Sequence, residues 1–243
     1  SYYDEVRRFD RYVGGVVEEL KAQGVYENTV IILLADNGRP FPRSKTSLYD
    51  DGMKTPLIVH WAEGQFEAGA RSQSLVSSID IAPAILELGG LFVVPQVQGV
   101  SFLPICRDPE TQTREILFGE RNWHTQRSCG RMVRWGDYVY MRDFVPGSYS
   151  FLMVNAETAS YAELLRLKKE GGLRPEEAEA FSTKRSVERV FDVSKDPKQL
   201  NSLVANPEMK ETLTTRIAAI RSVDATTPDV LPNIPLLVSL ATL

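Results

Sequence analysis

Two continuous apolar runs constrain the fold of this chain more than any other feature. TVIILLA covers residues 29–35, and PLIVHW covers residues 56–61. Because both runs are unbroken and rich in branched side chains, they are typical of strands buried on both faces, as in a parallel sheet covered by helices. The first run ends at Asp36, Asn37 and Gly38, so polar side chains follow at the point where a buried strand stops.

Helical patterns flank these runs. Apolar residues before the first run recur at three- and four-residue steps and predict a helix that ends near Gly24. Its apolar face consists of Val6, Phe9, Val13, Val16, Val17 and Leu20. SSIDIAPAILELGG, residues 77–90, predicts a helix with Asp80 as N-cap, Pro83 in the first turn and Gly89 as its stop. The order helix, strand, loop, strand, helix predicts an α/β fold.

The second half of the chain has a different pattern. EILFGE and ERVFDV predict strands, and RMVRWGDYVYMRDF predicts a hairpin that turns at Gly136 and Asp137. Charged amphipathic helices are expected over residues 160–182, and one further helix is expected after Pro207. The predicted breaks between the charged helices are Gly171, Gly172 and Pro175, and the face of the last helix is Met209, Leu213, Ile217 and Ile220. We therefore divide the chain into 1–126, part of a large α/β domain, and 127–243, a small α+β subdomain.

Composition excludes several classes of function. The chain has 243 residues and a net charge of -4, whereas a general nucleic-acid binder is usually basic. No apolar run is long enough to cross a bilayer. The two cysteines, Cys106 and Cys129, form neither a disulfide framework nor a recognisable metal motif.

Asp36 and Asn37 lie where α/β proteins bind ligands, beyond the carboxyl end of a buried strand. One offers a carboxylate oxygen and the other an amide oxygen, a mixture that suits Ca²⁺. Gly38 allows the backbone to turn sharply, so that neighbouring side chains can converge. Because calcium takes about six to eight oxygen ligands, these two residues supply only part of a site.

Three cations follow on a loop stiffened by prolines: Arg39, Arg43 and Lys45. Cations beside a metal-bound oxyanion are one way in which proteins hold sulfate or phosphate. The local pattern by itself favours a simpler interpretation, a common Asp-Asn-Gly turn with solvated cations.

A longer pattern reverses that preference. The strand, Asp-Asn-Gly, Lys45 nine positions after Asp36, the sequence Tyr-Asp-x-Gly and the Pro-Leu-Ile-Val strand together resemble the sulfatase family of the alkaline-phosphatase superfamily. ADNGRPFPRSKTSLYDDG is especially similar to the heparan N-sulfatase (sulfamidase) branch of that family. The opening helix pattern, SSIDIAPAILELGG and ERVFDVSKDPKQLNSL are similar to further segments of sulfatases. The similarity covers most of residues 1–142 and 187–204.

The resemblance implies an alkaline-phosphatase-like mixed sheet flanked by helices, of which this chain holds the C-terminal portion, plus a small antiparallel-sheet-and-helix subdomain. It implies hydrolysis of sulfate esters or sulfamates of sulfated sugars, one Ca²⁺ ion, and export to a periplasm or similar compartment. The partners implied are a sulfated carbohydrate and the missing N-terminal part of the same protein.

The resemblance also implies roles for individual residues. Asp36 and Asn37 match metal ligands, and Lys45 matches a catalytic residue that contacts the sulfate oxygens. His124 is a second catalytic candidate, and an ordinary structural histidine is an equally good interpretation. Arg39 and Arg43 are substrate-binding candidates, and solvated loop charges are the favoured alternative. His60 is expected to be structural. Tyr49 and Asp50 are expected to shape the loop.

Sulfatases of this kind use a formylglycine made from the first residue of a C/S-x-P-x-R motif as their nucleophile. Cys106 is followed by RDPE and Cys129 by GRMV, so neither fits the motif. The first pair of metal-binding aspartates and the upstream lysine and histidine residues of the family are absent as well. The sequence therefore predicts an incomplete calcium shell and an inactive chain when it is alone.

Two other functions stay open. A phosphodiesterase or phosphonate hydrolase of the same superfamily would carry more histidines for transition metals, whereas this chain has only His60 and His124. A non-catalytic fragment that binds a glycan or a partner protein is the third possibility.

Overall fold

The computed structural model describes residues 1–124, 127–145, 158–182, 185–209 and 214. The helices are α1 (Tyr2–Ala22), α2 (Asp50–Met53), α3 (Ile81–Leu88), α4 (Leu103–Arg107), α5 (Ala159–Glu170) and α6 (Pro175–Ala180). The strands are β1 (Val30–Leu34), β2 (Leu57–Trp61), β3 (Ile116–Trp123), β4 (Arg127–Trp135), β5 (Tyr138–Asp143) and β6 (Glu188–Asp192). A short 3₁₀ turn, Ser78–Asp80, leads into α3. Among the described residues, no helix is both long enough and apolar enough to cross a bilayer.

Strands β1 and β2 form a two-stranded ribbon. The two apolar runs were predicted as strands, and both are, but they pair antiparallel, with Ile32 opposite Val59. The expectation of a parallel arrangement is therefore wrong for this pair. An unbroken apolar run predicts a strand but carries no information on the direction of its neighbour. The expected burial on both faces is wrong as well, because every residue of β1 and β2 is half-buried or exposed.

The ribbon covers a small core. Ile32 and Val59 pack against buried residues of α3 and α4 and the residue before α4, namely Ala84, Phe102, Leu103 and Ile105. Asp80 is buried beneath this layer, and its carboxylate accepts hydrogen bonds from the backbone N–H groups of Ser77 and Val100 and from Arg114. Asp80 stands at the predicted N-cap position of α3, but its carboxylate accepts from groups outside that helix and does not cap it.

Strands β3 to β6 form one antiparallel sheet in the order β3-β4-β5-β6. The predicted hairpin is confirmed, and Gly136 adopts a left-handed backbone (φ 50°) at its turn. The predicted breaks after residue 170 are confirmed too, since α5 ends before Gly171 and α6 begins at Pro175. The domain boundary stays a prediction; it falls in the connection between β3 and β4, which pair with each other.

Each face of this sheet carries its own core. One face packs Met132, Val139, Met141 and Phe191 against Leu48 and Tyr49 of the segment that precedes α2. The other face packs Val133, Trp135, Tyr140 and Val190 against Met209. Leu213, Ile217 and Ile220, predicted on the same helix face as Met209, lie outside the described residues.

Helix α1 has the predicted length but not the predicted burial. None of its residues is buried, and Phe9 keeps 53% of its surface exposed. The periodic pattern located the helix correctly. Its apolar face lies open in this chain, together with exposed side chains on the ribbon and after α3 such as Ile58 and Phe92.

Candidate functional site

The Asp-Asn-Gly turn lies against α2. The N–H of Gly38 donates to the carbonyl of Gly52 at 3.0 Å. A Cβ on Gly38 would lie 2.1 Å from the carbonyl oxygen of Asp51 and 2.6 Å from the Cα of Gly52. Only glycine allows this approach, so the turn that follows β1 is fixed directly on the α2 backbone.

Gly52 also contacts the turn that carries Lys45. A Cβ on Gly52 would lie 2.3 Å from the carbonyl oxygen of Ser44 and 2.5 Å from that of Ser47. The backbones of Asn37–Gly38 and Ser44–Lys45 therefore meet at one residue. This brings two of the sequence-predicted positions close in space, through a glycine that the sequence analysis used only as part of a family pattern.

Asp36 and Asn37 line an open cleft of about 1440 Å³. Asp36 is exposed and Asn37 is half-buried. The amide nitrogen of Asn37 donates to the carbonyl of Gly38 at 2.9 Å, which leaves the amide oxygen as the atom available to a cation. Within the described part of the chain, no group of three or more His, Cys, Asp or Glu residues could hold a metal ion. The carboxylate and the amide oxygen of this pair fit calcium in ligand chemistry, and they would supply only part of its shell.

Asp50, Lys54 and Arg134 also line the cleft and were not predicted as site residues. The Asp50 carboxylate accepts a hydrogen bond from Arg134 at 2.7 Å, so those two charges pair across the loop and the sheet. Lys54 is exposed and lies directly after α2. Its sequence signal was weak, because a lysine before Thr-Pro has no pattern of its own.

Lys45 and His124 do not line the cleft, although the turn that carries Lys45 contacts Gly52, as the turn that carries Asp36 and Asn37 does. Lys45 is half-buried, and its backbone N–H donates to the carbonyl of Arg39 at 3.0 Å. His124 is exposed and directly follows β3. Among the described residues that line the cleft, neither is present. The common site for Asp36, Asn37 and Lys45 thus stays a prediction, supported by the backbone contacts at Gly52.

The two arginine candidates differ sharply. Arg39 is exposed and pairs with Asp51 at 2.5 Å. Arg43 is only 5% exposed, and its guanidinium donates to Glu179 at 2.5 Å and to the carbonyl of Gln199 at 2.8 Å. A side chain so enclosed does not face an external sugar, and it is not solvated either. The substrate-binding role of Arg43 stays a prediction, and its burial and contacts favour a role in holding the loop.

Tyr49 and Asp50 shape the loop, as expected. Tyr49 is 2% exposed, and its hydroxyl donates to Glu179 at 3.1 Å and accepts from Arg189 at 2.8 Å. Burial raises the pKa of Tyr49, and the nearby Arg189 guanidinium opposes that rise. The hydroxyl stays protonated and serves as a hydrogen-bonding bridge.

His60 lies on β2, where its ring stacks on Tyr26 at 5.3 Å between centroids and its Nε2 lies 2.8 Å from the tyrosine hydroxyl. These contacts agree with the structural role predicted for it.

Comparison with known proteins identifies the family. Residues 1–91 match the family model described as Sulfatase. The chain is 32% identical over 213 residues to an ulvan-active sulfatase of Formosa agariphila, a match that covers 87% of this chain and 35% of that protein. The chain belongs to the sulfatase family, and it corresponds to the C-terminal part of these relatives.

Two further comparisons extend this result. Over 87 residues the chain is 41% identical to the human N-sulphoglucosamine sulphohydrolase, covering 36% of this chain and 17% of that enzyme. A solved structure of a protein in complex with its substrate D-glucosamine-2-N,6-O-disulfate superposes with a TM-score of 0.69 at 17% identity, covering 93% of this chain and 40% of that one. The alkaline-phosphatase-like fold is thereby confirmed. A phosphonate monoester hydrolase of Silicibacter pomeroyi shares the fold at 16% identity (TM-score 0.63, 95% of this chain, 40% of that one).

Proposed function

We propose that this chain is the C-terminal part of a sulfatase that hydrolyses sulfate esters or sulfamates of sulfated sugars. The observation that carries the proposal is the 32% identity with an ulvan-active sulfatase across 87% of the chain. The short stretch that is 41% identical to N-sulphoglucosamine sulphohydrolase supports a sulfated amino sugar as one candidate substrate. Because the chain spans about a third of the first relative's length, activity belongs to a longer protein.

Asp36 and Asn37 would hold part of the shell of one Ca²⁺ ion through a carboxylate and an amide oxygen. When bound, such an ion orients a sulfate group and offsets its charge. The remaining ligands and the formylglycine nucleophile would come from the preceding part of the protein. We propose export to a periplasm or an equivalent compartment, on family resemblance alone.

Lys45 would contact sulfate oxygens and stabilise the charge that develops on them. Its turn shares Gly52 with the Asp36–Asn37 turn, which supports one site for all three residues. His124 would lie on the substrate side, where its exposure leaves the imidazole accessible.

The test compares the 243-residue chain with the longer protein that the proposal requires. The longer protein should release sulfate from an aryl sulfate faster than phosphate from the matching aryl phosphate, and the chain alone should release neither. Asp36→Ala should abolish both turnover and the rise in melting temperature that Ca²⁺ produces. Lys45→Ala should keep that rise and lower turnover by about 10²-fold or more.

Arg166→Ala is the matched control. Arg166 is exposed on α5, and its ion-pair partners Glu163 and Glu170 lie on the same helix. This variant should behave as wild type. Turnover by the chain alone, or a wild-type rate in Lys45→Ala, would contradict the assignments. Faster phosphate release would favour the phosphonate or phosphodiester hydrolase, which shares this fold.

A further inference from the structure

We propose that Arg43 is a positioning residue, which latches the site loop, defined as residues 36–53, to the C-terminal segment, defined as residues 175–182 and 185–199. The latch consists of Arg43, Glu179 and Gln199. It deepens the proposed function and depends on it for one point only, namely what the positioned loop would bind.

Arg43 meets the C-terminal segment at two places. Its Nε donates to the Glu179 carboxylate at 2.5 Å, and its Nη2 donates to the Gln199 carbonyl at 2.8 Å. The guanidinium carbon lies 3.6 Å from the centre of the Tyr49 ring. A planar guanidinium can satisfy a carboxylate, a carbonyl and an aromatic face together, which an ammonium cannot. The side chain thus ties loop, helix and turn in one contact.

The backbone at Arg43 is strained for a residue with a side chain. Its φ is 64°, and that of Thr46 is 69°, in the left-handed region that glycine favours. Such conformations persist where surrounding contacts determine them. The contacts of the guanidinium with Glu179 and Gln199 fix the position of the side chain, and they thereby hold the backbone of Arg43 in this conformation.

Glu179 is the acceptor at the centre of the latch. Besides Arg43, it accepts from the Tyr49 hydroxyl at 3.1 Å and from Arg185 at 3.1 Å. It lies on α6, a helix that supplies none of the candidate ligands. One carboxylate therefore joins both ends of the Arg43–Tyr49 stretch to a separate element.

Gln199 contacts the loop at Asp50, the residue that follows Tyr49 in the sequence. It is 2% exposed, and its side-chain oxygen accepts from the N–H of Asp50 at 2.7 Å. Its own φ of 52° is left-handed as well. Because Asp50 begins α2, this bond fixes the helix that carries Gly52. Both turns that meet at Gly52 are then held by the same C-terminal segment.

The expected result is a rigid loop that loosens as a unit when the latch is cut. The chain is tested by hydrogen–deuterium exchange at the amides of Gly38, Lys45 and Gly52, whose N–H groups bond within the loop. Arg43→Gly removes the side chain without backbone strain, because glycine tolerates the left-handed region. Exchange at these amides should rise about tenfold or more, and millimolar guanidinium should restore part of the protection.

Glu179→Gln provides the second variant, since it keeps the shape of the side chain and removes its charge. Its matched control is Glu163→Gln on α5, where the carboxylate also pairs with an arginine but is exposed. Loop exchange should accelerate in the first variant and stay as in wild type in the second. Unchanged loop exchange in both latch variants, or an equal acceleration throughout β4 to β6, would overturn the proposal.

A kinetic arm applies to the longer protein. Glu179→Gln should lower kcat about tenfold while KM changes less than about threefold, because a displaced Lys45 is missed most in the transition state. A change confined to KM would overturn the positioning role. Failure of the proposed function itself would appear as absent turnover in the wild type, with the exchange result unaffected.

Discussion

The four-stranded sheet with its site loop differs from the N-terminal helix and ribbon in what each buries. In the sheet, Val139 and Val190 have no exposed surface, and Phe191 is 2% exposed. In α1, no residue is buried, although its apolar residues recur regularly at three- and four-residue steps. Both regions form the helices and strands that their sequences predict. They differ in packing: the sheet has other segments packed on its faces, whereas the apolar face of α1 is not buried.

That contrast explains which parts of the fold hold together in this chain. The sheet is covered on both faces, by the site loop on one and by the region of Met209 on the other. The ribbon is covered on one face only, by α3 and α4. A large apolar surface left open marks a contact region for another part of a protein.

Removing a core side chain from the sheet should produce the largest effect. Phe191→Ala should lower the free energy of unfolding by about 3–5 kcal/mol, because it deletes a fully enclosed ring. Phe92→Ala is the control, since that ring is 79% exposed, and it should change stability by less than about 0.5 kcal/mol. Urea denaturation measures both. Equal losses would erase the contrast between the regions.

Breaking a buried ion pair comes next. Asp143 accepts from Arg121 at 2.9 Å and from Arg189 at 2.5 Å, all with side chains at most 15% exposed. Asp143→Asn should lower the free energy of unfolding by about 3 kcal/mol, since it leaves buried arginines without their carboxylate. Asp4→Asn, in the exposed first turn of α1, should leave the unfolding midpoint unchanged. A wild-type midpoint for Asp143→Asn would refute the importance of the pair.

A glycine exchange should change sign between the two regions. Gly38→Ala should destabilise the chain by about 1–3 kcal/mol, because the new methyl group overlaps the α2 backbone. Gly14→Ala should instead stabilise it by about 0.5–1 kcal/mol, since α1 has open space there and alanine favours helix. Thermal melts of both variants give the comparison. Destabilisation by Gly14→Ala would mean that α1 packs more tightly than described.

High pH should weaken the sheet through Tyr140. Burial and the neighbouring Glu188 raise the pKa of this hydroxyl, so the folded state keeps a proton that the unfolded state loses near pH 10. Stability is then complete below about pH 10 and falls as pH rises above it. Denaturation midpoints between pH 9 and 11 should fall less steeply in Tyr140→Phe. Tyr12→Phe on α1 serves as the control, and an identical slope in both variants would contradict the assignment.

The smallest effect on stability belongs to the open face of α1. Phe9→Ser should change the free energy of unfolding by less than about 0.5 kcal/mol, because the ring is 53% exposed. It should nevertheless reduce dye binding and self-association, as measured by fluorescence and by sedimentation. Unchanged self-association would show that this face does not drive contacts between chains.

The sequence predicted the helices and strands well and their surroundings less well. Gly136 and Pro175 mark a turn and a helix start through their own backbone chemistry, and each does so in the structure. Asp80 stands at the predicted N-cap position of α3, but its side chain makes no bond to that helix. The antiparallel pairing of β1 with β2 was missed, since direction depends on the path of the connecting chain. The exposure of Phe9 was missed, because helical periodicity shows which residues share an apolar face but not whether another segment packs against that face.

For the candidate site, the sequence located two oxygen donors at a strand end but not the residues that hold their loop in place. Asp36 and Asn37 carry side-chain oxygens and directly follow the apolar run, so the sequence alone places these oxygen donors at the end of a strand. The burial of Arg43 depends on Glu179, which lies 136 residues away in sequence, within a region that carries little family resemblance. A local sequence pattern contains no information on such a long-range pair. Arg43 was therefore expected to be a solvated loop residue, although it is buried.

Gly52 has one more consequence. The turn that carries the oxygen donors and the turn that carries the Lys45 ammonium both contact this residue, so a shift of Gly52 would displace both turns. Changes in the segment that holds α2 would alter the spacing of donors and ammonium while leaving every one of those groups intact. Related enzymes could therefore differ in the size of anion they accept through substitutions that never touch it.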